Sequence, residues 1–369
     1  MARTPRSEVV DPDDSTFVLT ISVAAAGRHL ADCTPGLPAA NDKRRRMLEE
    51  CIFHQSKYFA IRPVAYSITS DSLLQMLQTD PEFAQTLTDA EVAYRWLMLC
   101  PTCRKFASKL NEPSPRDIQE MCSDPRKIAE LRSRLCSISW WMRLINQRTA
   151  QWFNRIDEID GVFWAGRFRA IRIVDDTALL TGLVYIDVSS VCSGTALSLN
   201  ASEFTSIVRR FADESSASST ASSTNPAVAS STLSQTRHLA PIQKNSPSEK
   251  HAPESSRDES CTSGDRRSRC SDAGVLDITQ SEYLSLVKSS CNALLGLEKM
   301  NLPAQVAAKL LQPDLTSESW LILIKSFGKA FSHIAGQIEN MEACRTRITR
   351  RRFYVRPIAR MLLAGCSKT

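Results

Sequence analysis

Few residues in this chain have the type and spacing for chemistry. Cys100-Pro-Thr-Cys103 is the one CxxC motif, and a tetrahedral zinc site would need a second ligand pair at a comparable spacing. The downstream Cys122 and Cys136 stand fourteen residues apart, so the motif reads as two unrelated thiols in a loop. The five histidines, His29, His54, His238, His251 and His333, never fall within four residues of one another. That excludes His-x-His and HExxH metal sites, and no GxSxG, P-loop or GxGxxG signature is present. What remains is the segment 138–172. It interleaves Trp140, Trp141, Trp152, Phe153, Phe163, Trp164 and Phe168 with Arg143, Arg148, Arg155, Arg167, Arg169 and Arg172. Guanidinium groups contact phosphates, and aromatic faces stack on unpaired bases. The same pattern also arises when the aromatics are core and the arginines line a solvated face. A second basic cluster, Arg345 to Arg360, lies near the C-terminus and suits a polyanion or a protein partner equally.

These residues must be positioned by the elements around them. Thr16–Val23 and Val64–Ile68 are β-branched apolar runs of strand type. Between them Lys43–Tyr58 carries Met47, Leu48, Cys51 and Ile52 at helical spacing. Residues 80–136, punctuated by Pro81, Pro101, Pro113, Pro115 and Pro125, read as an insertion with short helices at Asp89–Leu99 and Pro125–Leu135. Ile138, Trp141, Met142, Ile145, Thr149 and Trp152 predict a longer helix, and another runs from Asp176 to Val188, with Asp175 and Asp176 at its positive end. Residues 213–272 lose all apolar periodicity and read as a disordered Ser/Thr-rich linker. Beyond it Ser281–Leu297, Pro303–Leu311 and Ser317–Ile338 predict a helical, basic C-terminal domain at 273–369. Residues 1–14 read as a disordered N-terminus.

The 369 residues are 43% hydrophobic, enough for two domains with sizeable cores. A net charge of +6 permits a polyanionic partner without requiring one. Twelve scattered cysteines suit reduced thiols of a cytoplasmic protein. No run reaches the ~18 apolar residues of a membrane span. Phe17–Gly27 is preceded by Glu8, Asp11, Asp13 and Asp14, not by the basic region of a signal peptide.

Taken together, Ser137-Ile-Ser-Trp-Trp-Met-Arg143, Trp152-Phe-Asn-Arg155, Phe163-Trp-Ala-Gly-Arg-Phe-Arg169 and Tyr185-Ile-Asp-Val-Ser-Ser-Val191 resemble, in order and spacing, the single-tyrosine HUH transposases of the REP-associated branch. Thr16–Val23 resembles the family's first strand and Ala65–Leu77 its second. Residues 276–366, above all Trp320–Gly336, resemble the extension of a long planctomycete-type subgroup. The resemblance implies an α+β fold, with a ferredoxin-like antiparallel sheet carrying packed helices in a transposase-like domain at 15–212. It implies Tyr185 as the nucleophile that would form a phosphotyrosine link with single-stranded or hairpin DNA. It further implies a Mg²⁺ or Mn²⁺ held by two histidines and a polar residue four after the tyrosine, and often a homodimer.

The ligand positions fall on Ser72, Leu74 and Ser189, which are poor ligands or none. No metal or other cofactor is therefore expected, although Asp71 or Asp187 would be the nearest substitutes. A catalytic metal supplies several kcal/mol, and each ~1.4 kcal/mol is about tenfold in rate. The expectation is a transposase-like DNA-binding protein with weak or no strand cleavage. The alternatives are an active transposase with unconventional ligands, or a decayed sequence without function.

Overall fold

A computed structural model of the chain describes residues 14–31, 42–106, 112–220, 238–244, 273–310 and 316–347. The sheet is built from β1 (Phe17–Val23), β2 (Ile61–Ile68), β3 (Ser72–Thr79), β4 (Arg169–Ile173) and β5 (Ile334–Ala335), in the order β2-β3-β1-β4-β5. β1 pairs antiparallel with both β3 and β4, and β2 with β3, whereas β5 runs parallel to β4. The architecture is thus a mixed sheet with packed helices, an α+β arrangement as the sequence predicts.

Sequence pattern does not set β3 apart as a strand. Its sequence SLLQMLQT does not alternate, because nearly every side chain in it is buried on one face or the other. Gln75, wholly buried there, is accepted because its amide oxygen takes the Trp141 indole N–H at 3.1 Å and its amide nitrogen meets Met142 Sδ. A tight turn joins β2 to β3, with Thr69 N donating to Ser72 O at 2.9 Å.

One face of the sheet carries α1 (Lys43–Tyr58) and α6 (Ile138–Asp157). The residues between β3 and α6 form α2 (Pro81–Thr86), α3 (Asp89–Leu99), α4 (Pro115–Cys122) and α5 (Pro125–Leu135). Three of these begin with proline in the first turn, where its missing N–H costs nothing, and side-chain caps at Asp80, Ser114 and Asp124 start them. Their apolar stripes, with Trp96, Leu131 and Leu135 among them, join the core built by Val18, Leu73, Leu77 and Trp141.

The other face carries α7 (Asp176–Cys192). Fourteen of its seventeen residues are buried, so it has no solvent face, and a helix apolar all round must be covered on both sides. The sheet covers one side. The other is covered by α9 (Gln280–Leu294) and α11 (Ser317–Ala330), with α8 (Ser206–Thr220) beside them. α7 passes so close to both layers that a Cβ on Gly182 would lie 2.8 Å from Met76 Cε and 3.5 Å from the Phe327 ring. The last described helices are α10 (Ala304–Leu310) and α12 (Ile338–Arg347).

Several boundaries differ from the sequence reading. Residues 213–220 continue α8, and residues 238–244 form a strap along β2, where Ala240 N donates to Pro63 O at 2.9 Å. The rest of the expected linker, residues 1–13 and residues 348–369 with their arginines lie outside the described residues. The segment from 273 onward is not helical throughout and shares a core with the sheet. Tyr283, Leu286, Trp320, Ile324 and Phe327 sit in one cluster with Ile21, Leu74 and Leu183. The expected helix 317–338 ends at Ala330, because Phe331 turns extended and leads into β5. Asp175 ties the end of β5 to α7, accepting from Ala178 N in the first turn of α7 and from Gln337 N just before α12.

Since the core is shared, a chain ending at residue 272 should expose the outer side of α7 and lose cooperative melting, with dye binding typical of exposed apolar surface. Trp320→Ala should cost about 3–5 kcal/mol in denaturant unfolding. A truncated chain that melts like the full one would show that the helices after 273 are dispensable.

Candidate functional site

The residues singled out in the sequence divide between the two faces of the sheet. On the α7 face, the register places Ser67, Leu74, Ile21 and Arg169 in a single row across β2, β3, β1 and β4. Side chains two apart on a strand share a face, so Ser72 and Leu74 point alike. α7 lies over this row. Ser189 Oγ lies in hydrogen-bond contact with Ser67 Oγ at 2.8 Å, which places it beside position 74. One helical turn earlier, Tyr185 stands over the Ile21 end. A Cβ on Gly328 would sit 2.8 Å from the Tyr185 hydroxyl and 3.0 Å from Ile21 Cδ1.

The chemistry of that cluster is apolar. Leu74 is 3% exposed. Ser189 Oγ is also bonded to Ile186 O, and Ser72 Oγ donates to Asp71 Oδ1 at 2.8 Å. Asp71 itself takes Thr69 Oγ1 within the β2–β3 turn. Asp187 is wholly buried and turned to the other side of the helix, where it accepts from Ser206 Oγ at 2.6 Å and from the Tyr283 hydroxyl. These residues do not fit a divalent cation. Among the described residues no group of three or more His, Cys, Asp or Glu side chains is placed to hold a metal.

Tyr185 is covered by α11. Its ring lies 5.9 Å from that of Phe327. Burial pushes its phenol above the ordinary tyrosine value, and the nearby Arg169 guanidinium offsets only part of that. Arg169 is occupied by the end of α11, donating to Gly328 O at 2.7 Å and Phe331 O at 3.2 Å.

The opposite face holds the basic residues. A groove of about 860 Å³ is lined by Arg126, Lys127 and Arg134 of α5, Arg143 and Arg148 of α6, and the 100–103 turn. A second hollow of about 470 Å³ continues from it across Trp140 and Arg143 to Arg167. Trp140 is held between the guanidinium groups of Arg134 and Arg143, 4.2 and 4.6 Å from its ring centre. Asp124 and Glu130 also line the groove, but Asp124 caps α5 and Glu130 pairs with Arg134. Arg148 donates to Leu99 O at the groove wall.

Two of the six predicted arginines, Arg143 and Arg148, therefore share the groove, and Arg167 lines the hollow next to it. Arg155 is exposed at the end of α6. Arg172 lines a separate cleft with Asp175 and Asp176, and Arg169 faces the tyrosine. Trp141, Phe153, Phe163, Trp164 and Phe168 are core. Only Trp140 and Trp152 of the interleaved aromatics stay partly exposed. The sequence reading missed Arg126, Lys127 and Arg134. Their only signal was the amphipathic spacing of Ile128, Leu131 and Leu135, which leaves the basic residues on the outer side of α5.

No family model, no curated protein and no solved structure matches the chain. No described helix is long and apolar enough to cross a membrane.

A difference titration of the protein against Tyr185→Phe, followed by phenolate absorbance, should place Tyr185 above the value of about 10 of a free tyrosine. Arg169→Gln should move it higher, because a nearby cation favours the phenolate. A midpoint at or below that of free tyrosine would mean an activated phenol.

Proposed function

We propose that this chain is a transposase-derived nucleic-acid-binding protein whose tyrosine site no longer cleaves strands. The observation that carries the reading is the cross-strand row. Positions 72, 74, 185 and 189, brought together by the resemblance alone, converge in space, with Arg169 at the end of the same row. Strand order further supports the ferredoxin-like reading. β1-α1-β2-β3-α6-β4, with β1 between β3 and β4, is a split βαβ pair with every neighbour antiparallel.

The chemistry of the row argues against catalysis. A leucine stands at one ligand position and two short hydroxyls at the others. The phenol is pushed towards its neutral form, and the neighbouring cation is taken by backbone carbonyls. With Ser72, Leu74 and Ser189 at the ligand positions and Arg169 engaged by Gly328 O and Phe331 O, the row offers little to offset charge developing on a phosphate. Binding is a separate matter, carried by the groove on the other face. Arg126, Lys127, Arg143 and Arg167 present cations along it. A strand following the groove would release condensed counterions from each phosphate that it contacts.

Hairpin or single-stranded DNA should bind the full chain with an affinity that falls as salt rises. Arg143→Ala and Arg167→Ala should each weaken binding by roughly tenfold or less and flatten the salt dependence by about 0.7 per lost contact. Tyr185→Phe should leave affinity unchanged. Absence of binding at low salt, or indifference to both arginine changes, would sink the reading.

The silent site has its own test. Ser72→His with Leu74→His and Ser189→Asn should create Mn²⁺ binding, seen as loss of the free-ion electron paramagnetic resonance signal, while the unaltered chain shows neither that nor a covalent DNA adduct. An adduct formed by the unaltered chain would refute the loss of catalysis.

A further inference from the structure

The nucleic-acid reading does not use Cys100 and Cys103, yet both line the basic groove, with Pro101 and Thr102 between them. Cys100 closes α3, its N–H bonded to Trp96 O at 2.8 Å, and Cys103 N donates back to Cys100 O at 3.0 Å. That bond defines one 3₁₀ turn. At about 2.0 Å of rise per residue its end Cα atoms lie roughly 6 Å apart, and side chains at i and i+3 eclipse. Disulfides most often span about 5.5–6 Å between Cα atoms. Cys103 is exposed, and Cys100 is half-buried against the core. The Arg148, Arg134 and Arg143 guanidinium groups all act on the Cys100 thiol, although burial prevails and holds it at about 11.

We propose that Cys100 and Cys103 form a thiol–disulfide pair at the rim of the basic groove, and that its oxidation controls what the groove holds. The second half rests on the nucleic-acid reading; the first does not. The oxidant is a low-molecular-weight disulfide of the glutathione class. The Cys103 thiolate attacks one of its sulfurs, forming a mixed disulfide and expelling one glutathione thiolate. Cys100 gives its proton to solvent and attacks the Cys103 sulfur, expelling the second. Two protein thiols are oxidised, one small disulfide is reduced, and the two released protons end on the two glutathione thiols. The elevated Cys100 thiol makes ring closure the slow step, so the mixed disulfide persists. While it does, the glutathionyl carboxylates bring negative charge to the rim of the groove that Arg143 lines, where DNA phosphates would otherwise bind.

The full chain is treated with oxidised glutathione, alkylated, digested and analysed by mass spectrometry. The peptide carrying residues 100–103 should first gain one glutathione and then lose it, ending two hydrogens lighter and refusing the alkylating reagent. Cys100→Ser should stop at the adduct, and Cys103→Ser should form no cross-link. If both thiols stay alkylatable while the exposed Cys192 is modified, the pair does not exist. Hairpin DNA affinity is measured on the same samples. The Cys100→Ser adduct should bind severalfold more weakly and recover on reduction. Unchanged affinity in every redox state would overturn the control while leaving the disulfide standing. A reduced chain that binds no DNA at all would refute the nucleic-acid reading instead.

Discussion

A helix without a polar face sets the terms for this molecule. α7 is buried along nearly its whole length, so the sheet can satisfy only half of it. Apolar surface left in water costs about 25 cal/mol per Å², and the outer side of α7 would be a continuous apolar strip. α9 and α11 cover that strip, and the chain must return across a long segment to do so. Gly182 and Gly328 mark where the layers come closest, since a methyl group at either would meet a neighbouring side chain at 2.8 Å. The same cover that stabilises α7 also lies over much of Tyr185, which stays partly exposed. Fold stability and access to the tyrosine are opposed by construction.

Covering an apolar helix by burial alone leaves its rotation and register weakly specified. A polar network supplies the missing specificity. Asp187 on α7 accepts from Ser206 on α8 and from Tyr283 on α9, while Arg210 donates to Val64 O and Ala240 O at 2.6 and 3.1 Å. Burial drives the Asp187 carboxyl up and the Arg210 guanidinium down, each towards its neutral form, and each is held back by the other's charge. Neither group meets the other directly, so removing either would leave its own hydrogen-bonded partners buried and unsatisfied, which destabilises the fold. The arrangement ties β2, α7, α8, α9 and the 238–244 strap to one geometry. It also accounts for a wholly buried aspartate on this helix.

The sequence made the helices legible because amphipathic spacing and caps are local. Lys43–Tyr58, Asp89–Leu99 and Pro125–Leu135 appear in the structure with the bounds that their patterns predict. β3 escaped because both of its faces are buried and a strand of that kind does not alternate. The shared core beyond 273 escaped for a different reason. A composition break at 213 marks a change in local order, but which core a later helix joins depends on long-range packing that composition does not encode. The site was half legible. The family resemblance brought together Ser72, Leu74, Tyr185 and Ser189, while the basic groove needed α5, whose arginines are unremarkable until α6 lies beside them. Aromatic residues misled, because tryptophan and phenylalanine on an arginine-rich helix look alike whether they stack on bases or on one another.

On the proposed reading, the two faces of the sheet have separate fates. The tyrosine row works only if several ligands, an ionisable phenol and an open approach coexist within a few ångströms, so the loss of any one silences it. The groove works by addition. Each cation contributes a similar increment through counterion release, and losing one leaves the others in place. Catalysis is therefore the more fragile property and binding the more durable one. The sheet between them isolates the consequences, since Leu74 repacks the α7 side without touching α5 or α6. Leu74 adds to the apolar core that α11 covers, which favours the packed state further. Once the row becomes core, selection for a stable fold holds it there, and the groove remains as the part still able to meet a polyanion.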